Sequence, residues 1–192
     1  MTARIAPIDP PYEPEIAGEL ERLMGAATDV EPLRLFRTVA HHPRMLTAFR
    51  RIGGAVLSKG TLPAIERETV IHRVTARAGA EYEWGVHAVV FAKPLGLDEE
   101  WLAATVDGAP EDFEDERQRV LIAMCDELHE TATLSDATYA ELEARWPREQ
   151  IVELLCLAGF YRLVSYLVNG LAIEPEAWAA SFPRRPATSG RS

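Results

Sequence analysis

Glu83 and His87 lie on what should be the apolar side of a helix spanning residues 81–93 (EYEWGVHAVVFAK). At about 100° per residue the two fall side by side, flanked by Val86 and Val90 on one edge and by Trp84 and Phe91 on the other. A carboxylate and an imidazole inside an apolar arc are costly unless they are paired or neutralised. Such groups are where shifted pKa values and proton transfer are found. The helix before it, residues 63–78, carries a second pair with the same spacing, Glu68 and His72, beside Ile65 and Ile71. Its opposite side, with Glu66, Arg73 and Arg77, reads as a solvent face. Only Gly79 and Ala80 separate the helices, so a hairpin would bring the ionisable groups together.

The elements that must hold these groups all read as helical. Expected helices cover residues 16–24, 32–40, 43–57, 62–79, 81–93, 98–104, 113–130, 137–145 and 149–171, with Pro32 and Pro43 in first turns and Ser135 as an N-cap. No stretch alternates with period two for long enough to predict a strand. The fold class is therefore all-α. Residues 1–15, rich in proline, form an extended arm that crosses a neighbouring subunit or hangs loose. Residues 16–182 form one helical domain, and 183–192 a disordered tail. Leu62-Pro63 and Trp146-Pro147 open long helices with early glutamates, which leaves room for two similar helical halves. A chain of 192 residues with 47% hydrophobic and 26% charged residues suits one globular domain. Neither a run of about 18 apolar residues nor a signal-like start is evident, so a cytoplasmic protein with no membrane partner is expected. The net charge of -10 argues against nucleic acid. Cys125 and Cys156 lie far apart and read as small buried apolar side chains.

The run LPAIERETVIHRVTARAGAEYEWGVH, residues 62–87, resembles the core motif of the carboxymuconolactone decarboxylase and alkyl hydroperoxidase D superfamily. Glu68 matches the motif glutamate and His87 its histidine, while Ala80 and Glu83 stand at the two cysteine positions of its peroxidase branch. The preceding FRTVAHHPRMLTAF is similar as well, and the likeness extends over residues 33–93. The resemblance implies the helical bundle of that superfamily and a homo-oligomer, a trimer or hexamer, with sites near subunit contacts. It does not carry thiol peroxidase activity across, because alanine and glutamate can neither attack a peroxide nor resolve a sulfenate.

What remains is an acid–base set. Glu83 and His87 are expected to form a proton-transfer pair, with Glu68 holding His87 in one tautomer. Burial should raise the carboxyl pKa and lower that of the imidazole, bringing both toward neutrality. That chemistry suits a cofactor-independent lyase, decarboxylase or isomerase acting on a small organic acid or lactone. Tyr82, Trp84 and Phe91 could wall a pocket. Arg73, matching a recurrent arginine of the superfamily, could meet a substrate carboxylate, although the wheel turns it to solvent. Three alternatives stand beside this. The Glu–His pairs could be structural hydrogen bonds between helices, the more natural reading for His72. The scaffold could be a non-catalytic oligomeric binding protein. The pairs could ligate a metal, but bundle di-metal sites favour an i, i+3 spacing, and no metal or cofactor is expected.

Overall fold

The structure, a computed structural model, describes residues 2–25 and 30–183, among which there is no strand. Its α-helices are α1 (Pro14–Met24), α2 (Arg34–Val39), α3 (Pro43–Leu57), α4 (Ala64–Arg77), α5 (Glu81–His87), α6 (Glu99–Asp107), α7 (Glu116–Thr131), α8 (Asp136–Arg145) and α9 (Arg148–Gly170). Local chemistry explains most starts. Pro14 and Pro43 occupy first turns, where a missing N–H costs nothing. Asp98, Asp115 and Ser135 each accept a backbone N–H as N-caps of α6, α7 and α8. One expected helix is broken differently. After His87 the chain widens into a π turn over Ala88–Ala92 and then tightens into a 3-10 turn over Lys93–Leu95. The cause lies just ahead: Pro94 can donate no hydrogen bond, and its ring crowds the preceding turn.

The central helix is α4, packed between α7 and α9 and covered further by α5 and α6. Val70 and Ile71 of α4, Leu121 and Met124 of α7, and Leu154, Leu157 and Tyr161 of α9 form its fully buried surroundings. Each such aliphatic side chain stabilises the fold by roughly 1.5–3 kcal/mol before conformational entropy is subtracted. The expected solvent face of α4 is corrected. Glu66 and Arg73 are buried, because that charged stripe meets α7 rather than water. A helical wheel separates polar from apolar but cannot tell water from a charged neighbour.

In α9 one side is buried, with Ile151, Leu154, Val164 and Val168, while Val152, Leu155, Leu163 and Tyr166 are exposed. By length and composition alone this helix could cross a bilayer, which corrects the expectation that no such segment exists; half of that stretch is buried in the protein. The arm before α1 is tied to its own chain: Arg4 N–H donates to the Leu171 carbonyl at 2.8 Å and Ile8 N–H to that of Arg37 at 3.3 Å. Ile8 and Tyr12 pack there on a small second core of Leu20, Ala40 and Leu46. Beyond Pro183, the tail read as disordered lies outside the described residues.

Candidate active site

The α4–α5 hairpin is made by Gly79, whose φ of 63° places it in the left-handed region that a side chain disfavours. The Ala80 N–H then donates to the Thr75 carbonyl at 2.8 Å, and α5 runs back along α4. This brings Glu68 and His87 face to face, with Nδ1 of His87 2.8 Å from Oε2 of Glu68. On the other edge of the ring, Nε2 lies 3.0 Å from the Tyr161 hydroxyl and 3.5 Å from Oε1 of Glu83. The second oxygen of Glu83 is buried and has no hydrogen-bond partner among the described residues. Behind this group, Nε of Arg67 donates to Oε1 of Glu68 at 3.3 Å. Phe91, carried by the π turn, stacks on the His87 ring at a centroid distance of 4.6 Å.

The electrostatics follow from the geometry. Burial works to strip the charge from His87, but the Glu68 carboxylate beside Nδ1, with Glu83 at Nε2, more than reverses this and raises its pKa to about 9. The expected lowering of the imidazole is thus corrected, since Glu68 outweighs desolvation. Burial pushes Glu68 up, yet the imidazolium holds it below the ordinary carboxylate range. Tyr161 is raised well above the ordinary phenol range by burial and by the charges of Glu83 and Glu68, so its hydroxyl stays protonated. At neutral pH the ring therefore carries both protons. One is fixed on Glu68, and the other, on Nε2, is presented to Tyr161 and Glu83.

His72 does not join this set as a proton carrier. Its Nδ1 is bonded to the backbone carbonyl of Glu68 at 2.8 Å, and burial together with the charge on His87 lowers its pKa to about 4. The three residues expected to contact substrate are bonded within the protein. Arg73 makes a two-pronged pair with Asp126, both N···O distances being 2.6 Å, and donates to the Thr105 carbonyl. Tyr82 is buried, its hydroxyl accepting from the Leu35 N–H and donating to Glu176 at 2.7 Å. Trp84 donates to the Thr105 hydroxyl and packs on Phe182. All three anchor helices to one another. Sequence reasoning missed Tyr161 and Arg67. Tyr161 had no spacing signal, lying in an apolar helix 74 residues from His87, whereas Arg67 adjoins Glu68 and could have been weighed.

Glu68, His87 and Glu83 retain only 0%, 2% and 7% of their exposure. Cavities of about 450, 330 and 260 Å³ in the molecule are lined by other residues. Among the described residues no three His, Cys, Asp or Glu side chains converge as metal ligands. Cys125 is buried, its thiol pushed up by desolvation, while Cys156 is exposed and unpaired.

Residues 43–124 match the model of the carboxymuconolactone decarboxylase family. No curated protein matches the sequence. Among solved structures, an uncharacterised peroxidase-related protein from Silicibacter sp. TM1040 superposes with a TM-score of 0.76 at 19% identity, covering 89% of this chain and 90% of that one. An alanine variant of the debrominase Bmp8, in complex with 2,3,4-tribromopyrrole, gives 0.77 at 14% identity, covering 93% and 94%. An alkylhydroperoxidase D core protein from Ralstonia eutropha JMP134 gives 0.74 at 17% identity, covering 90% and 93%. The chain is thus similar to the carboxymuconolactone decarboxylase family over residues 43–124, where Glu68 and His87 meet across the α4–α5 hairpin, and it shares the helical fold of these solved structures.

Proposed function

We propose that the protein is a cofactor-independent acid–base enzyme of the decarboxylase, lyase or isomerase kind, acting on a small organic acid or lactone. The observation that carries this is the line Glu68–His87–Tyr161/Glu83, which holds a protonated Nε2 in a nearly dry setting. His87 then serves as general acid, and Glu68 fixes its orientation and charge. In a decarboxylation the C–COO bond breaks, its electron pair stays on carbon as CO2 leaves, and Nε2 delivers the proton that the carbanion needs. The neutral imidazole left behind regains a proton from solvent, with Glu83 as the relay, since its Oε1 lies 3.5 Å from Nε2 and its other oxygen has no hydrogen-bond partner among the described residues. Substrate would reach Nε2 by displacement of Phe91, which covers His87 from the half-exposed π turn. A homo-oligomer, trimer or hexamer, belongs to this reading; the exposed Met45 and Ile52, two turns apart on α3, support it.

One observation favours a second reading, a non-catalytic scaffold whose Glu–His contact is structural: the network is sealed within the chain. Proton NMR in D2O with carboxymuconolactone and simpler lactone acids separates the two. The wild type should release CO2 or exchange a C–H for C–D, and His87→Gln should lower that rate about 100-fold or more while keeping the helical signal. Undiminished turnover in His87→Gln would remove the proposal, and inertness of the wild type toward the whole panel would favour the scaffold.

A further inference from the structure

We infer that the groove between α7 and α9 is a binding site for a small amphipathic carboxylate, apart from the His87 network and sharing no residue with it. Its apolar half has a volume of about 450 Å³ and is walled by Val74, Leu128, Leu155 and Ala158, a size typical of small-molecule sites. A more polar depression of about 330 Å³ adjoins it, and both are lined by His129, Arg162 and Tyr166.

Two independent features say what belongs there. The first is Arg162. Its Nη1 donates to Nδ1 of His129 at 2.8 Å and its Nε to the Tyr166 hydroxyl at 3.1 Å, both neutral acceptors. The acidic side chains of this face are already taken, Asp126 by Arg73 and Arg77 and Glu130 by Arg77. Arg162 is left as a partly buried cation with no carboxylate partner among the described residues, in the planar geometry that suits bidentate carboxylate binding. Burial and the charges of Arg162 and Arg77 lower the pKa of His129, which keeps it an acceptor for Arg162. The second feature is Gly159. A glycine within a 23-residue helix costs stability, and here no neighbour requires it, since a Cβ would meet nothing within 4 Å. It lines the apolar half of the groove and keeps it open. Apolar walls with one unpaired guanidinium at the end fit a carboxylate bearing a short hydrocarbon tail or ring.

Octanoate is the probe, with octanol as its uncharged counterpart, titrated into the full chain and followed by calorimetry and by amide shifts of α7 and α9. Octanoate should bind about tenfold or more tightly than octanol, and Arg162→Gln should abolish that preference. Gly159→Leu should weaken both ligands about tenfold while leaving the thermal midpoint equal or higher, because the added side chain enters open space. Equal binding by wild type and both variants would overturn the site. So would a groove already covered by a second copy, seen as an oligomer that Gly159→Leu dissociates and octanoate does not enter.

Discussion

His87 keeps its charge in a place where burial alone would remove it, so Glu68 and His87 act as one electrostatic unit. The sign of the resulting pH dependence follows from the two shifts. A histidine raised from 6.5 to about 9 contributes stability that is complete below 6.5 and lost as pH rises through about 9. A carboxylate held low contributes stability present above its ordinary value of 4.5 and lost in more acid solution. Both describe a single contact, greatest between about pH 4.5 and 6.5 and of the order of 3 kcal/mol. Urea unfolding of the wild type and Glu68→Gln should therefore show a stability gap that closes between pH 6.5 and 9. The His87 ring should also titrate at lower pH in the variant, as read by NMR. A gap of constant size from pH 5.5 to 9.5 would mean that His87 is not charged by Glu68.

At the scale of the element, α5 is only seven residues long and relies on its neighbours for position. On one side it is tied to α4 through Glu68. On the other, residues 171–183 lie across it, with Ala180 N–H donating to the Gly85 carbonyl at 3.2 Å and Phe182 N–H to Glu81 at 2.7 Å. Glu176 joins this strap to Tyr82 and to the start of α2 through the Arg34 N–H. Gly85 is what permits the close approach, since a Cβ there would collide with the Ala180 backbone. Gly85→Ala should cost roughly 2–3 kcal/mol of stability and expose the last turn of the strap to protease. Limited proteolysis with mass spectrometry checks this, and an unchanged cleavage pattern would show that the strap does not hold α5. Elements of this kind mark where sequence stops being legible. The helices were readable from prolines, caps and apolar spacing, as at Pro43, Asp98 and Ser135. The Glu68–His87 meeting was readable from the two-residue hairpin. The strap was not, because its ties are isolated contacts, Ala180 to Gly85, Phe182 to Glu81 and Glu176 to Tyr82, with no periodic pattern in the sequence. Tyr161 was not either, since a hydroxyl in an apolar helix looks the same whether it faces a lipid-like core or an imidazole.

Across the whole molecule, α4 is the axis, and its two sides are held by different forces. Toward α9 the contact is apolar, through Val70, Ile71, Leu154 and Leu157. Toward α7 an ionic stripe runs beside the apolar contacts of Leu121 and Met124: Glu66 pairs with Arg117, and Arg73 with Asp126, while Glu66 also accepts from the Trp146 ring N–H at 2.7 Å beyond α8. Charges buried in pairs add little net stability but fix the mutual rotation of the helices, because any slip leaves a charge alone in a dry interface. That rotation also sets where Glu68 points, one and a half turns before Arg73 on the same helix. Breaking the pair from one side should be expensive, and removing both charges should not. Asp126→Leu alone should destabilise by about 3 kcal/mol, the lower end of the range for a buried pair, since the carboxylate keeps 23% side-chain exposure. Arg73→Met together with Asp126→Leu should return to within about 1 kcal/mol of the wild type. The same double variant tests what Arg73 does in the reaction. With its guanidinium committed to Asp126 and the Thr105 carbonyl, its loss should leave turnover of any substrate found for His87 within about twofold once stability is restored. Additive losses in urea unfolding would mean that the pair does not couple α4 to α7. A fall in kcat/KM in the stable double variant would instead return Arg73 to the substrate.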